Sequence, residues 1–214
     1  MRIEEFKSEE QSIIDSKLIW ILPETISDSI FKEIRLFNRL YDGVCCFSSA
    51  KTFDAIKDDF LQLQKYLQDT STKRITCIGY AQGSFLAQYA TLELRKITRR
   101  IILFNPTMRA KPKLLRRIFE AIEKISPLGL PVTIFQRRFD SRHFVHRIHC
   151  PTLVVQDKYA NDYQISQTQE IAQRIPNAWI NKISTLNDNL FQEQFALFMG
   201  VPAKRPQKNR GNGS

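Results

Sequence analysis

A chain of 214 residues with 43% hydrophobic content is long enough for one sizeable core and short enough that a single domain, residues 1–200, is expected. No apolar run approaches the length that spans a bilayer, and the opening MRIEEFKSEEQSIIDSK, acidic and broken by charges, does not read as a leader, so a soluble, cytoplasmic protein is expected. The net charge of +10 is local: between Thr107 and Cys150 ten basic residues face three acidic ones, and the tail adds Lys204, Arg205, Lys208 and Arg210, which excludes a uniformly basic surface.

Along the chain, short β-branched runs alternate with longer amphipathic stretches, the pattern of a mostly parallel sheet flanked by helices. Leu18–Leu22 predicts the first strand and Ser27–Leu40 the first helix, with Ser27 or Asp28 as its cap and Gly43 closing the turn after it. Gly43–Phe47, Arg74–Gly79, Arg100–Asn105, Pro151–Gln156 and Trp179–Ser184 predict further strands, giving a sheet of about six. Between them fall predicted helices at Thr52–Gln68, Ser84–Arg95, a less regular Lys113–Ile125, Ile165–Arg174 and Phe191–Met199. The four cysteines, Cys45 and Cys46 adjacent, sit in or beside apolar runs and are expected as buried small hydrophobes in a reducing compartment. Residues 201–214, polar and rich in Pro and Gly, predict a disordered basic tail.

One segment carries a recognisable motif. In RITCIGYAQGSFLAQYATLELR, Arg74–Arg95, an apolar strand runs into Gly79-Tyr80-Ala81-Gln82-Gly83 and then into an amphipathic helix. This resembles the nucleophile elbow G-x-S-x-G of the α/β-hydrolase superfamily, and the resemblance extends from about Leu18 to Met199. It implies a compact α/β-hydrolase-like fold with a basic cap insertion at 107–150. The two glycines fit a strained turn in which the helix passes close to the strand. Ala81 stands where the family has its serine, and alanine has no nucleophilic atom.

By the same resemblance, Pro151-Thr152-Leu153-Val154-Val155 is similar to the strand before the triad acid, whose position falls on Ala160, with Asp157 and Asp162 as neighbouring alternates. Leu186–Glu193 is similar to the histidine loop, and Asp188 falls at the histidine. The strand and loop Trp20–Glu24 resemble those that carry a His-Gly pair and one oxyanion amide; here the pair is Pro23-Glu24, and the Gln82 amide is the other candidate donor. A carboxylate at Glu24 would oppose the negative charge such a hole stabilises. Ser84 and Cys46 are the candidates for a replacement nucleophile, though neither has a histidine at a predictable distance, and a buried structural role is expected for Cys46.

His143, His146 and His149 precede the Pro151 strand and lack the acidic or further histidine partner of a zinc site; neither metal nor cofactor is expected. In the basic insertion, KLLRRIFEAIEKI at 113–125 predicts a cap helix burying its apolar stripe. The sharper possibility is a surface for an anionic ligand, an acidic protein partner or anionic lipid, with Arg109, Lys113, Arg116, Arg117, Arg137 and Arg138 as candidate binding residues. No nucleic-acid recognition fold is visible. The sequence thus predicts a non-catalytic α/β-hydrolase-fold protein that binds a small, lipid-like or anionic ligand or a protein partner. The alternatives are an esterase or thioesterase using displaced groups, with Asp188 or Asp162 acting on water, and a peripheral membrane protein held by cap helix and tail.

Overall fold

The structure, a computed structural model, describes residues 1–6, 16–37, 41–109, 139–186 and 188–200. Its frame is a seven-stranded sheet in the order β1-β3-β2-β4-β5-β6-β7: β1 (Arg2–Phe6), β2 (Lys17–Leu22), β3 (Gly43–Phe47), β4 (Ile75–Tyr80), β5 (Thr98–Phe104), β6 (Thr152–Asp157) and β7 (Ala178–Ile183). All pairings are parallel except β1 against β3. Among the described residues five helices lie between and after the strands: α1 (Asp28–Phe37), α2 (Phe53–Asp69), α3 (Ser84–Glu93), α4 (Asp162–Arg174) and α5 (Asn189–Met199).

The central strands are apolar on both faces because helices cover both. In β2, Ile19 and Ile21 join a core with Ile56, Leu63, Phe85 and Ile171 from α2, α3 and α4. Leu18, Trp20 and Leu22 point the other way, into a core with Ile34 and Phe37 of α1 and Phe191 and Phe195 of α5. This is the period of two of a strand, with both positions buried. Trp20 is fully buried, stacked on Phe104 at 5.7 Å between ring centroids and edge-on to Phe37 at 6.0 Å.

All six predicted strands are present, Gly43–Phe47 with the same bounds and the others with ends shifted by at most two residues. The sequence missed β1, and the charges that concealed it are used at the sheet edge. Arg2 lies over the Phe47 ring at 4.1 Å. Glu5 accepts a hydrogen bond from the Tyr66 hydroxyl and sits 3.7 Å from Lys17. An edge strand solvated on one side shows little of the apolar run that marks a central one. Helix α4 also starts earlier than predicted, because Asn161 and Gln164 form a reciprocal capping box ahead of the first apolar residue.

The expected helix at Lys113–Ile125 and the tail at 201–214 lie outside the described residues. The C-terminal end of the basic insertion is part of the domain itself. After Phe139 the chain makes two short 3-10 turns, Ser141–His143 and Val145–Arg147, and buries Phe139, Val145 and Ile148 in the α2/α3 core. No described helix is long and apolar enough to cross a membrane.

Cys45, Cys46 and Cys77 are free and buried, and Cys150 is half-buried. Burial pushes the Cys46 and Cys77 thiols up to about 12 and Cys150 to about 11, with Cys45 raised as well. Thiol titration with an aromatic disulfide at pH 8 is expected to detect at most Cys150, slowly, in the folded chain and all four after denaturation; rapid reaction of a second thiol would contradict this burial.

Candidate functional site

The turn after β4 is under a constraint that only particular residues meet. Ala81 adopts φ +47°, a left-handed conformation that a side chain enters at a cost of order 1 kcal/mol. A methyl added at Gly79 would lie 2.7 Å from both the Ala87 Cβ and the Ser84 Cα; one added at Gly83 would lie 2.1 Å from the Ile21 carbonyl oxygen. The glycines therefore let α3 start directly against β2 and β4. Ala81–Gly83 form a 3-10 turn that runs straight into α3, which is buried from Ser84 to Thr91.

The turn is tied to its neighbours on both sides. The Gln82 side-chain amide donates to the carbonyls of Ser49 (3.1 Å) and Ala50 (3.2 Å) after β3. The Ser84 hydroxyl, fully buried, donates to the Thr107 carbonyl (3.3 Å) and accepts from its N–H (3.0 Å). It serves as a clamp between α3 and the end of β5, not as an exposed nucleophile. Cys46, buried with its thiol pushed up to about 12, does not supply a thiolate near neutral pH either.

Because β2 to β7 are parallel, the loops after β2, β4, β5, β6 and β7 open on one edge of the sheet, the edge at which folds of this kind bind ligands. Ala81 follows β4, Ala160 follows β6 and Asp188 follows β7, so the three predicted positions share that edge. The Ala160 N–H donates to the Asp157 carbonyl (3.1 Å) within a tight turn. Asp188 is the N-cap of α5, its carboxylate accepting from the Leu190 N–H at 3.0 Å. Replacing it by alanine is expected to cost about 1 kcal/mol of stability, read by urea unfolding. Glu24 is exposed in the turn after β2, where the Ile26 N–H donates to the Pro23 carbonyl.

A cleft of about 140 Å³ opens at this edge beside the turn, between Ile30, Glu33, Tyr80, Asn105, Asp157 and Leu186. Asn105, in a left-handed conformation at φ +43°, holds the ends of β5 and β6 together by accepting from the Asp157 N–H at 2.7 Å. The Asp157 carboxylate accepts from the Tyr159 N–H (2.8 Å), and Glu33 accepts from the Leu186 N–H (3.3 Å). Burial, with Asp157 and Glu33 nearby, raises the Tyr80 hydroxyl above its ordinary range and keeps it a neutral donor.

Of the two alternate acids, Asp157 lines the cleft, whereas Asp162 is exposed in the first turn of α4. Sequence reasoning missed Glu33, Tyr80 and Asn105 as cleft residues. Only the Asn105-Pro106 pair at a strand end, a natural place for a left-handed residue, carried a local signal. Arg109 is exposed, bridged through its backbone to Asp140, and its carbonyl accepts from the Tyr163 hydroxyl at 3.2 Å. Lys113, Arg116, Arg117, Arg137 and Arg138 lie outside the described residues. The three histidines are exposed, and no group of three or more His, Cys, Asp or Glu placed to hold a metal occurs among the described residues.

No protein-family model matches the chain, and no curated protein matches it. Solved structures do. MenH from S. aureus superposes with a TM-score of 0.65 at 17% identity, over 92% of this chain and 97% of that one. A thermophilic esterase from Thermogutta terrifontis gives 0.63 at 14% identity, over 94% and 93%. An alpha/beta hydrolase from Sphaerobacter thermophilus gives 0.61 at 14% identity, over 92% and 95%. At such identities the likeness concerns the path of the backbone and not the chemistry at its loops.

Proposed function

We propose that this chain, which has the α/β-hydrolase fold, is a non-catalytic binding or regulatory module built on it. The observation that carries this reading is Ala81, which holds the strained left-handed turn at φ +47° yet brings no nucleophilic atom to it. Two further features agree. The position after β6 is Ala160, and the carboxylate after β7, Asp188, is engaged in capping a helix.

The cleft suits a small ligand with an apolar body and a hydrogen-bonding or amine end. Ile30, Phe104 and Leu186 supply apolar wall, while Glu33 and Asp157 offer acceptors and Tyr80 a donor. An anionic or lipid-like ligand, an acidic protein partner or an anionic membrane would instead depend on the basic insertion, of which Arg109 is exposed next to the described core.

The test is turnover of p-nitrophenyl acetate and butyrate by the purified chain. No rate above buffer is expected, nor any gain in Ala81→Ser, since a serine there would find no imidazole to accept its proton. Turnover by the unaltered chain that disappears in Asp157→Asn would overturn the proposal and favour a hydrolase working through displaced groups, Asp157 being the acid that lines the cleft.

Ala81 also carries a stability prediction. In an ordinary helix or turn Ala→Gly weakens a protein, but at φ +47° the glycine relieves strain. Ala81→Gly is therefore expected to be neutral or to stabilise by up to about 1 kcal/mol, measured by urea unfolding; a loss above that size would mean the turn is unstrained.

A further inference from the structure

At the other edge of the sheet, where β5 and β6 begin, a second cleft of about 270 Å³ opens between the end of α3 and the segment leading into β6. Its charged and ionisable lining is one-sided. Arg95 comes from the turn after α3, Arg147 and His149 from the segment before β6, and no carboxylate lines it. Among the described residues neither guanidinium is engaged in an ion pair.

The floor is also unusual. Thr91, 3% exposed, has a buried hydroxyl with no oxygen or nitrogen partner and only the weak Cys77 thiol against it. A buried hydroxyl left without a good partner costs stability unless something else satisfies it. Leu92 and Ile148 add apolar wall.

The geometry points to a binding site for a small soluble phosphorylated anion, distinct from the cleft beside Ala81. Arginines from two separate chain segments, with His149, line one concave space that holds no carboxylate, and the planar fork of a guanidinium suits phosphate oxygens better than a monovalent ion. Leu92 and Ile148 accept an apolar body. A cleft of about 270 Å³ suits a compact solute.

Inorganic pyrophosphate is the probe, titrated calorimetrically into the full chain against chloride buffers of matched ionic strength. Saturable single-site binding is expected, weakened about tenfold or more in Arg95→Gln/Arg147→Gln. Lys65→Gln/Lys73→Gln, which removes the same charge from exposed positions on and after α2, is expected to leave affinity within about twofold. Because all four side chains are exposed, thermal unfolding of the variants checks that the fold is kept. Absence of saturable binding, equal weakening by both variants, or Arg95- and Arg147-dependent cosedimentation with phosphatidic acid vesicles without pyrophosphate binding would each overturn the proposal.

Discussion

Gly83→Ala is expected to destabilise the chain by about 3 kcal/mol or more, a large part of the 5–15 kcal/mol that holds a typical domain together. The added methyl would stand 2.1 Å from the Ile21 carbonyl oxygen, 2.6 Å from its carbon and 3.0 Å from the Leu22 nitrogen. These are backbone atoms of β2, a central strand paired with both β3 and β4. A flexible side chain could swing away, but here relief requires either breaking a ladder or lifting α3 off the sheet. Lifting α3 would expose Phe85, Leu86, Ala87 and Ala90, all core residues. Urea unfolding of the soluble fraction, or loss of soluble protein on expression, reads the effect. A loss below about 1 kcal/mol would show that α3 does not approach β2 this closely.

Trp20→Ala should rank beside it, at about 3–5 kcal/mol. Trp20 is fully buried at the centre of the face covered by α1 and α5, against Phe37 and Phe104. Truncation leaves a cavity between a strand and two helices that are linked through Phe37 and Phe195, whose rings meet edge-on at 4.6 Å, so collapse cannot fill it locally. Trp179, the other tryptophan, is 55% exposed on the edge strand β7, and Trp179→Ala is expected to cost about 1 kcal/mol or less. Denaturant midpoints of the two variants give the contrast; comparable losses would contradict the assignment of Trp20 to the core.

Both effects depend on features of unequal visibility in the sequence. The central strands were legible because residues such as Ile19 to Leu22 and Leu153 to Val155 are buried on both faces, which leaves an unbroken apolar run. The turn at Gly79–Gly83 was legible through its resemblance to G-x-S-x-G; the Gly79 clash is with Ser84 and Ala87 nearby in the chain, whereas the Gly83 clash, with Ile21 and Leu22 of β2, shows only in the folded structure. Strand β1 was not, since its charges are satisfied by Tyr66, Lys17 and the Phe47 ring, partners distant in sequence. Asp188 was marked by its place after the last strand, but its use as a helix cap emerged only from the position of the Leu190 N–H.

What the sequence by itself determined, then, is the order of strands and helices from β2 onward among the described residues, a consequence of local periodicity, and, through the motif's resemblance, a tight turn that carries Ala81 in place of a nucleophile. The tertiary structure decided which side chains meet. Glu33, Tyr80 and Asp157 come from α1, β4 and β6 to line one cleft, and Arg95, Arg147 and His149 gather at the opposite edge. Such groupings depend on strand order and on the packing of helices over the sheet, interactions between segments tens of residues apart that no local pattern encodes.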